Sequence, residues 1–333
     1  MDLNPNPKEG MPVLAVPHLS AQLLSKRLKD RVPELQKIAR CDVKIVFNRD
    51  SAHIGPDEWI LIAELIQKSW KTYDGIVVLH GTDTLAYTAS ALSFLLRPCL
   101  KPVIMTGSQR PLSALRTDAK LNLLSAVEIA ASSPRKLTNQ VSVFFGDSLF
   151  QGNRIRKRSA TDFDAFDSPQ SPPLAVVGTT IRYSSFASSR KKDVFRLRPQ
   201  FSRRVLFTHI TPGFPADCFN NAFLENLDGI VLNIFLSGTA PTHDRAFIDF
   251  LKRARKRNLP IVVVTPGSTE PPADSHLELI YEAGQELLSE GCFWGGTMTP
   301  ECAYVKTSLL VSQFKGLQAF SKAWKKNLAN EAD

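Results

Sequence analysis

The sequence predicts an α/β protein of two domains, each built around a parallel sheet with helices packed on it. Three observations carry this. A chain of 333 residues exceeds what one ordinary core organises. Short β-branched runs alternate with stretches of helical spacing, the pattern of βαβ units. That alternation lapses once, in a Ser-, Lys- and Arg-rich stretch, and then resumes. The expected division is an N-terminal domain over 1–185, a linker over 186–204 and a smaller C-terminal domain over 205–333. A hydrophobic content of 43% and a charged content of 22% suit a packed globular chain.

Each element has its own local reason. Residues 1–18 are rich in Pro, Asn and Gly and read as an irregular opening, and Leu19 to Lys37 has helical spacing. Val43-Lys-Ile-Val-Phe47 is the first expected strand. After a loop over 48–55, Pro56-Asp-Glu-Trp59 starts a helix, with proline and acids in its first turn. Ile76 to Leu79 is a short β-branched run, as in a strand buried on both faces. His80-Gly81 breaks it, Thr82-Asp83-Thr84 supplies helix-capping residue types, and Leu85 to Leu96 continues as a helix. Val103 to Thr106 is a strand, Asp118 to Ala131 a helix, and Val141 to Phe145 a strand followed by a loop holding Lys157. In the second half, strands are expected at 205–210, 229–234 and 261–265, and helices at 215–224, 244–257 and 301–314. A doubly wound domain usually opens with a strand that becomes central in its sheet. Here a loop and a helix come first, so the first strand is expected to be missing.

Several functional classes find no support. No apolar run approaches the roughly 20 residues of a membrane span, and the N-terminus lacks a basic-then-apolar signal pattern. Five scattered cysteines without a C-x-x-C pair indicate neither a disulfide framework nor a zinc site, and the six histidines form no H-x-x-x-H pair. A cytoplasmic, metal-free and cofactor-free protein is expected. No P-loop, no G-x-G-x-x-G after a strand and no G-x-S-x-G elbow is present. The formal charge of +9 gathers at Arg190-Lys-Lys192, Lys252-Arg-Ala-Arg-Lys-Arg257 and Lys322 to Lys326. Such runs are either a nucleic-acid footprint or solvated helix faces. Apart from Trp324, no aromatic residues interleave with them as base stacking requires, which favours the second reading. A positive field would also favour anionic or zwitterionic small substrates.

What remains is hydroxyl chemistry without histidine. Thr82 and Asp83 stand where a parallel strand ends and a helix begins, the edge at which open α/β sheets bind ligands. A threonine hydroxyl is a weak nucleophile and needs a base, and a lysine serves once it has lost its proton. Lys157 lies beyond a strand end, on the same edge as Thr82 if both strands run parallel. Arg154, Arg156 and Arg158 would add positive charge around it. Equally, Thr82-Asp83 is a common helix cap and Lys157 a common surface lysine. The residues alone support an enzyme-like α/β chain with a polar strand-end site.

At these residues the chain resembles the bacterial-type L-asparaginase/glutaminase family, and most of all its cytoplasmic type I branch. Asp50-Ser-Ala-His-Ile-Gly-Pro-Asp-Glu-Trp59 is similar to the family's D-S-S substrate segment, and Asp74 to Leu96 to its H-G-T-D-T signature. Lys101 to Pro111 with Thr117-Asp118 and Asn122-Leu123 resembles the T-G-x-Q-x-P…S-D-G…N-L stretch. Gly152-Asn-Arg-Ile-Arg-Lys157 with Phe163 to Pro169 resembles the segment carrying the family's lysine. Ile210-Thr-Pro-Gly213 and Met298-Thr-Pro-Glu-Cys-Ala303 with Lys306 resemble the entry to, and closing helix of, its C-terminal domain. The resemblance implies the two-domain asparaginase fold and hydrolysis of L-asparagine to L-aspartate and ammonia through an acyl-enzyme. L-Glutamine would be the second candidate substrate, and a homodimer or homotetramer the assembly. It implies catalytic roles for Thr82, Asp83 and Lys157. It further implies that Asp50 and Ser51 hold the substrate's carboxylate end, with Thr82 and Asp83 completing the binding site. Backbone N–H groups at the helix start would stabilise the oxyanion, at about 3 kcal/mol per donor.

The departures matter too. The family opens with a strand ending T-G-G-T-I-x-M, whose first threonine is the usual acylated nucleophile. Met1-Asp-Leu-Asn-Pro-Asn-Pro-Lys-Glu-Gly10 resembles the stretch just after that motif. Two expectations result: Met1 is an internal methionine of a longer protein, or the chain is a truncated, non-catalytic binding protein with an exposed sheet edge. Ala52, Ala119 and Leu236-Ser-Gly-Thr239 also depart from the family pattern.

Overall fold

The computed structural model describes residues 21–132, 134, 140–184, 198–267 and 282–332. The chain divides into two compact units, Met1–Ser168 with Pro172–Val194, and Pro169–Ser171 with Phe195–Asp333. The expected irregular opening over 1–18 and most of the expected linker over 186–204 lie outside the described residues.

In the first unit, α1 (Ala21–Arg31) and α2 (Leu35–Ile38) replace the single helix expected over Leu19 to Lys37. The break falls at Val32-Pro33, because proline has no N–H to continue a helix. Next come α3 (Pro56–Ser69), β1 (Ile76–Leu79), α4 (Leu85–Leu95), β2 (Val103–Thr106), α5 (Ala119–Ser132) and β3 (Val141–Phe145). β1 pairs with β2 and β2 with β3, all parallel, with Ile76 opposite Val103 and Val103 opposite Val141. Their carboxyl ends therefore share one edge.

β2 and β3 are buried throughout, as near-continuous apolar strands covered on both faces should be. Alternation divides their side chains between two cores. Val103, Met105, Val143 and Phe145 join Ile62 and Ile66 of α3 and Leu85 and Leu92 of α4. Ile104 and Phe144 join Ala126 and Ile129 of α5 on the opposite side.

Two features depart from the parallel sheet expected. Beyond β3 the sheet becomes antiparallel: β4 (Ser148–Gln151) returns along β3 through a turn at Gly146, whose φ is 65°. A separate hairpin, β5 (Arg156–Lys157) with β6 (Phe166–Asp167), comes next. β7 (Ala175–Val177) and β8 (Ile181–Tyr183) then extend the main sheet in the order β1–β2–β3–β4–β7–β8. Second, Val43 to Phe47 forms no strand. A β-branched run becomes a strand only beside a partner ladder, and none lies next to it among the described residues. Among the described residues β1 is itself an edge strand. Ile76 N–H bonds Pro102 O and His80 N–H bonds Thr106 O, each at 2.9 Å, so the backbone groups of Val77 and Leu79 face away from β2. Leu79 is 58% exposed.

The second unit holds β9 (Val205–His209), α6 (Asn221–Leu224), β10 (Gly229–Asn233), α7 (Arg245–Lys256), β11 (Ile261–Val264), α8 (Glu282–Ser289), β12 (Phe293–Trp294), α9 (Pro300–Gln313) and α10 (Leu317–Trp324). Its four strands are parallel in the order β12–β11–β10–β9. The helix expected over 215–224 is a short 3₁₀ turn at Ala216–Cys218 and then α6, where Asn220 caps Phe223 N–H at 3.0 Å. Phe214, Phe247, Phe250 and Leu287 cover one face of the sheet with Ile230, Leu232, Ile261 and Val263. α9 packs against β9, β10 and β11. No helix among the described residues is long and apolar enough to cross a membrane.

Candidate active site

The carboxyl end of β1 is the centre of the site. Its turn is tight because two glycines allow close approaches. A Cβ on Gly81 would fall 2.8 Å from Cβ and Oγ of Ser51, and one on Gly107 would fall 2.3 Å from His80 O. Only glycine tolerates backbone packed this closely.

The three polar residues after Gly81 were expected to cap α4, and the structure assigns them elsewhere. Thr84 occupies the N-cap position without a side-chain cap hydrogen bond. Its Oγ1 instead donates to Ser51 O at 2.6 Å, tying the turn to the segment around Asp50. Lys157 Nζ donates to Thr82 Oγ1 at 2.7 Å and to Asp83 Oδ1 at 2.7 Å. A helix-capping role therefore does not account for Thr82-Asp83, and Lys157, at 20% side-chain exposure, is not a free surface lysine.

The route by which Lys157 arrives also differs from expectation. It does not end a parallel strand. β4 carries the chain back until Gly152 N–H bonds Val141 O, the first residue of β3, and Lys157 then sits on the β5–β6 hairpin opposite Phe166. The ring of positive charge expected around it is largely compensated. Arg156 pairs with Asp167 at 3.0 Å, Arg158 pairs with Asp164, and Arg154 is buried.

Ser51 is buried and lies against Gly81, one residue from Thr82. Asp50 is exposed, and its Oδ1 accepts Ala52 N–H at 2.8 Å, capping the short turn Ser51–His53. Thr82, Asp83, Lys157 and Ser51 are thus brought together, while the Asp50 carboxylate already serves a local turn. His80 is a packing residue: Nδ1 contacts Gly81 O at 2.7 Å and Nε2 contacts Thr88 Oγ1 at 3.0 Å. With a carbonyl on one nitrogen and a hydroxyl on the other, Nδ1 carries the proton. Desolvation lowers the ring's pKa, and the Gly81 hydrogen bond opposes that shift.

Residue reasoning assigned no role to the groups behind the turn. Asp118, 6% exposed, accepts Gln109 and Arg110 N–H, each at 2.9 Å. Asn122, 1% exposed, donates to Gly107 O at 3.0 Å and accepts Gly146 N–H at 3.2 Å. A polar residue on the buried face of an otherwise apolar helix was the signal available for Asn122.

The basic run of α7 is largely engaged within the fold. Arg253 donates to Phe219 O and Ala216 O, Arg255 to Ser289 O, Arg257 pairs with Glu225 and Lys252 with Glu290.

Comparison with known proteins agrees along most of the chain. The family model for the N-terminal asparaginase domain matches residues 15–188, and that for the glutaminase/asparaginase C-terminal domain matches residues 204–323. L-asparaginase 1 of Escherichia coli K12 is 37% identical over 283 residues, covering 85% of this chain and 81% of that protein. Among solved structures, L-asparaginase I of Vibrio cholerae superposes with a TM-score of 0.71 at 34% identity, covering 86% and 84% of the two chains. The thermostable L-asparaginase of Thermococcus kodakarensis superposes with 0.77 at 30% identity, covering 91% of each. Both domains and their order match, and the chain belongs to the asparaginase family.

Proposed function

We propose that this protein is an L-asparaginase, an amidohydrolase that converts L-asparagine to L-aspartate and ammonia without a cofactor. The observation that carries the reading is Lys157 Nζ lying 2.7 Å from both Thr82 Oγ1 and Asp83 Oδ1. A lysine in hydrogen-bond reach of a hydroxyl, oriented by a carboxylate, is the base–nucleophile–orienter arrangement that covalent catalysis requires.

In the reaction, deprotonated Lys157 accepts the Thr82 proton, and the Thr82 oxygen either attacks the carboxamide carbon or activates the water that does. Attack places negative charge on the carbonyl oxygen, where N–H groups at the start of α4 suit it. Collapse of the tetrahedral species breaks the C–N bond, with Lys157 returning the proton to the departing ammonia. Water then releases aspartate from any ester formed. Asp83, with a 66% exposed side chain, is free on its outer side to bind the substrate's ammonium group. Ser51, with Asp50, faces the substrate's carboxylate end. Cytoplasmic location, assembly as a homodimer or homotetramer, and use of L-glutamine as a second substrate belong to the same reading and rest on the family likeness.

The test is ammonia release from L-asparagine by the purified protein and by Thr82→Ala and Lys157→Met. The wild type should release ammonia, and each variant should lose about 100-fold or more in kcat/KM. Asparagine binding without ammonia release by the wild type would favour the non-catalytic alternative and overturn the assignment.

A further inference from the structure

We propose that Asn122, supported by Asp118, is a positioning residue that sets the separation between Thr82 and Lys157. The two groups lie 75 residues apart in sequence, Thr82 in the turn after β1 and Lys157 on the β5–β6 hairpin, joined by one 2.7 Å contact. A glycine-bearing turn stands behind each. On the Thr82 side, Gly107 lies so near the turn that a Cβ there would fall 2.3 Å from His80 O and 3.7 Å from Thr82 Cγ2. On the Lys157 side, Gly146 follows Phe145, whose ring centre lies 4.9 Å from that of Phe166, the residue opposite Lys157 in the hairpin that the loop at 163–164 closes. Arg158 holds that loop by donating to Asp164 O at 3.0 Å.

One side chain bonds both glycines. Asn122 Nδ2 donates to Gly107 O at 3.0 Å, and its Oδ1 accepts Gly146 N–H at 3.2 Å. Nδ2 also donates to Asp118 Oδ2 at 3.2 Å. Asp118 in turn fixes the segment after Gly107 by accepting the N–H groups of Gln109 and Arg110. Gln109 Nε2 then reaches Ser159 O, two residues past Lys157, at 3.4 Å. The spacing of the two backing glycines, and through them of the hydroxyl and the ammonium, is therefore fixed by Asn122. A buried amide can do this because leaving any of its groups unpaired is unfavourable, which pins its geometry.

The kinetic arm of the test rests on the asparaginase reading, and the labelling arm on geometry alone. Asn122→Leu keeps the volume and removes both glycine bonds, and Asp118→Asn keeps the shape and removes the charge. In a folded variant, kcat for L-asparagine should fall about 100-fold with KM within about threefold, as loss of alignment rather than of substrate binding predicts. Labelling of Lys157 by an amine-reactive ester, read by mass spectrometry, should rise several-fold, with exposed Lys68 unchanged as the reference. If Asn122→Leu does not fold, Asp118→Asn decides alone. Folded variants whose Lys157 labelling stays at the wild-type rate would overturn the proposal. A wild type that releases no ammonia would overturn the functional reading and leave the labelling result to decide this one.

Discussion

Replacing Lys306 by methionine should destabilise the second unit by about 3–5 kcal/mol, the usual range when a buried ion pair loses one partner. Lys306 on α9 is 2% exposed, and its Nζ lies 2.6 Å from Glu331 Oε1, whose side chain is fully buried. The same ammonium donates to Trp324 O and Lys326 O, each at 3.0 Å, and sits 4.8 Å from the Trp324 ring centre. The carboxylate also accepts Leu328 N–H at 2.9 Å and Ala329 N–H at 2.5 Å. Burial alone would raise the Glu331 pKa, but the Lys306 charge and these bonds outweigh it and hold the group below its ordinary value. Lys306→Met leaves that charge with two N–H groups and no cation, and about 3 kcal/mol corresponds to a fall in Tm of about 10 °C for a unit of this size. Adding Glu331→Gln removes the stranded charge, so the double variant should recover about half or more of the loss. Urea denaturation of the wild type, both singles and the double gives the coupling energy. The sign with pH is set by the lowered pKa. The contribution is full above the unfolded value near 4.5 and is lost as pH falls through the folded one. The gap between wild type and Glu331→Gln should therefore narrow on acidification. A Lys306→Met loss below about 1 kcal/mol, or singles that merely add, would refute this account of the buried pair.

Further outcomes are expected at the site and its surroundings. Because desolvation lowers the His80 pKa in the folded state, the unfolded chain takes up that proton first. Stability from neutral His80 is present above pH about 6.5 and is lost below it, so His80→Gln should show a shallower loss between pH 7 and pH 5 by thermal unfolding. An unchanged slope would contradict this. Gly81→Ala puts a methyl 2.8 Å from Ser51 Cβ and Oγ. It should lower stability by about 1–3 kcal/mol and raise KM for L-asparagine, whereas an unchanged KM would separate Ser51 from substrate binding. With most of the α7 cations engaged by Glu225, Glu290 and backbone carbonyls, transfer RNA should show no electrophoretic retardation at about 150 mM salt. A shift there would reopen the nucleic-acid reading.

The fold was legible where burial makes the pattern one-sided. β1 and β3 have the bounds expected because each is a compact apolar run ended by a glycine-bearing turn. Val43 to Phe47 is a comparable β-branched run, with Lys44 within it, and forms no strand, since a strand depends on a neighbour that composition does not reveal. β4 to β8 escaped notice because two- to four-residue antiparallel strands leave too little periodicity to detect. The site obeyed the same division. Residue reasoning could name Thr82, Asp83 and Lys157 as candidates at one sheet edge, but only motif likeness gave them roles, because their proximity depends on a hairpin route the sequence pattern does not show. The capping expectation for Thr82 to Thr84 was locally sound and gave way to tertiary contacts with Lys157 and Ser51.

The most direct test is a double-variant cycle on kcat/KM for L-asparagine with Thr82→Ala, Lys157→Met and both together. If hydroxyl and lysine act as one catalytic unit, the double variant should be no slower than the slower single, because either change already disables the proton transfer. Losses that multiply in the double variant would show that the two groups act independently and would contradict the account.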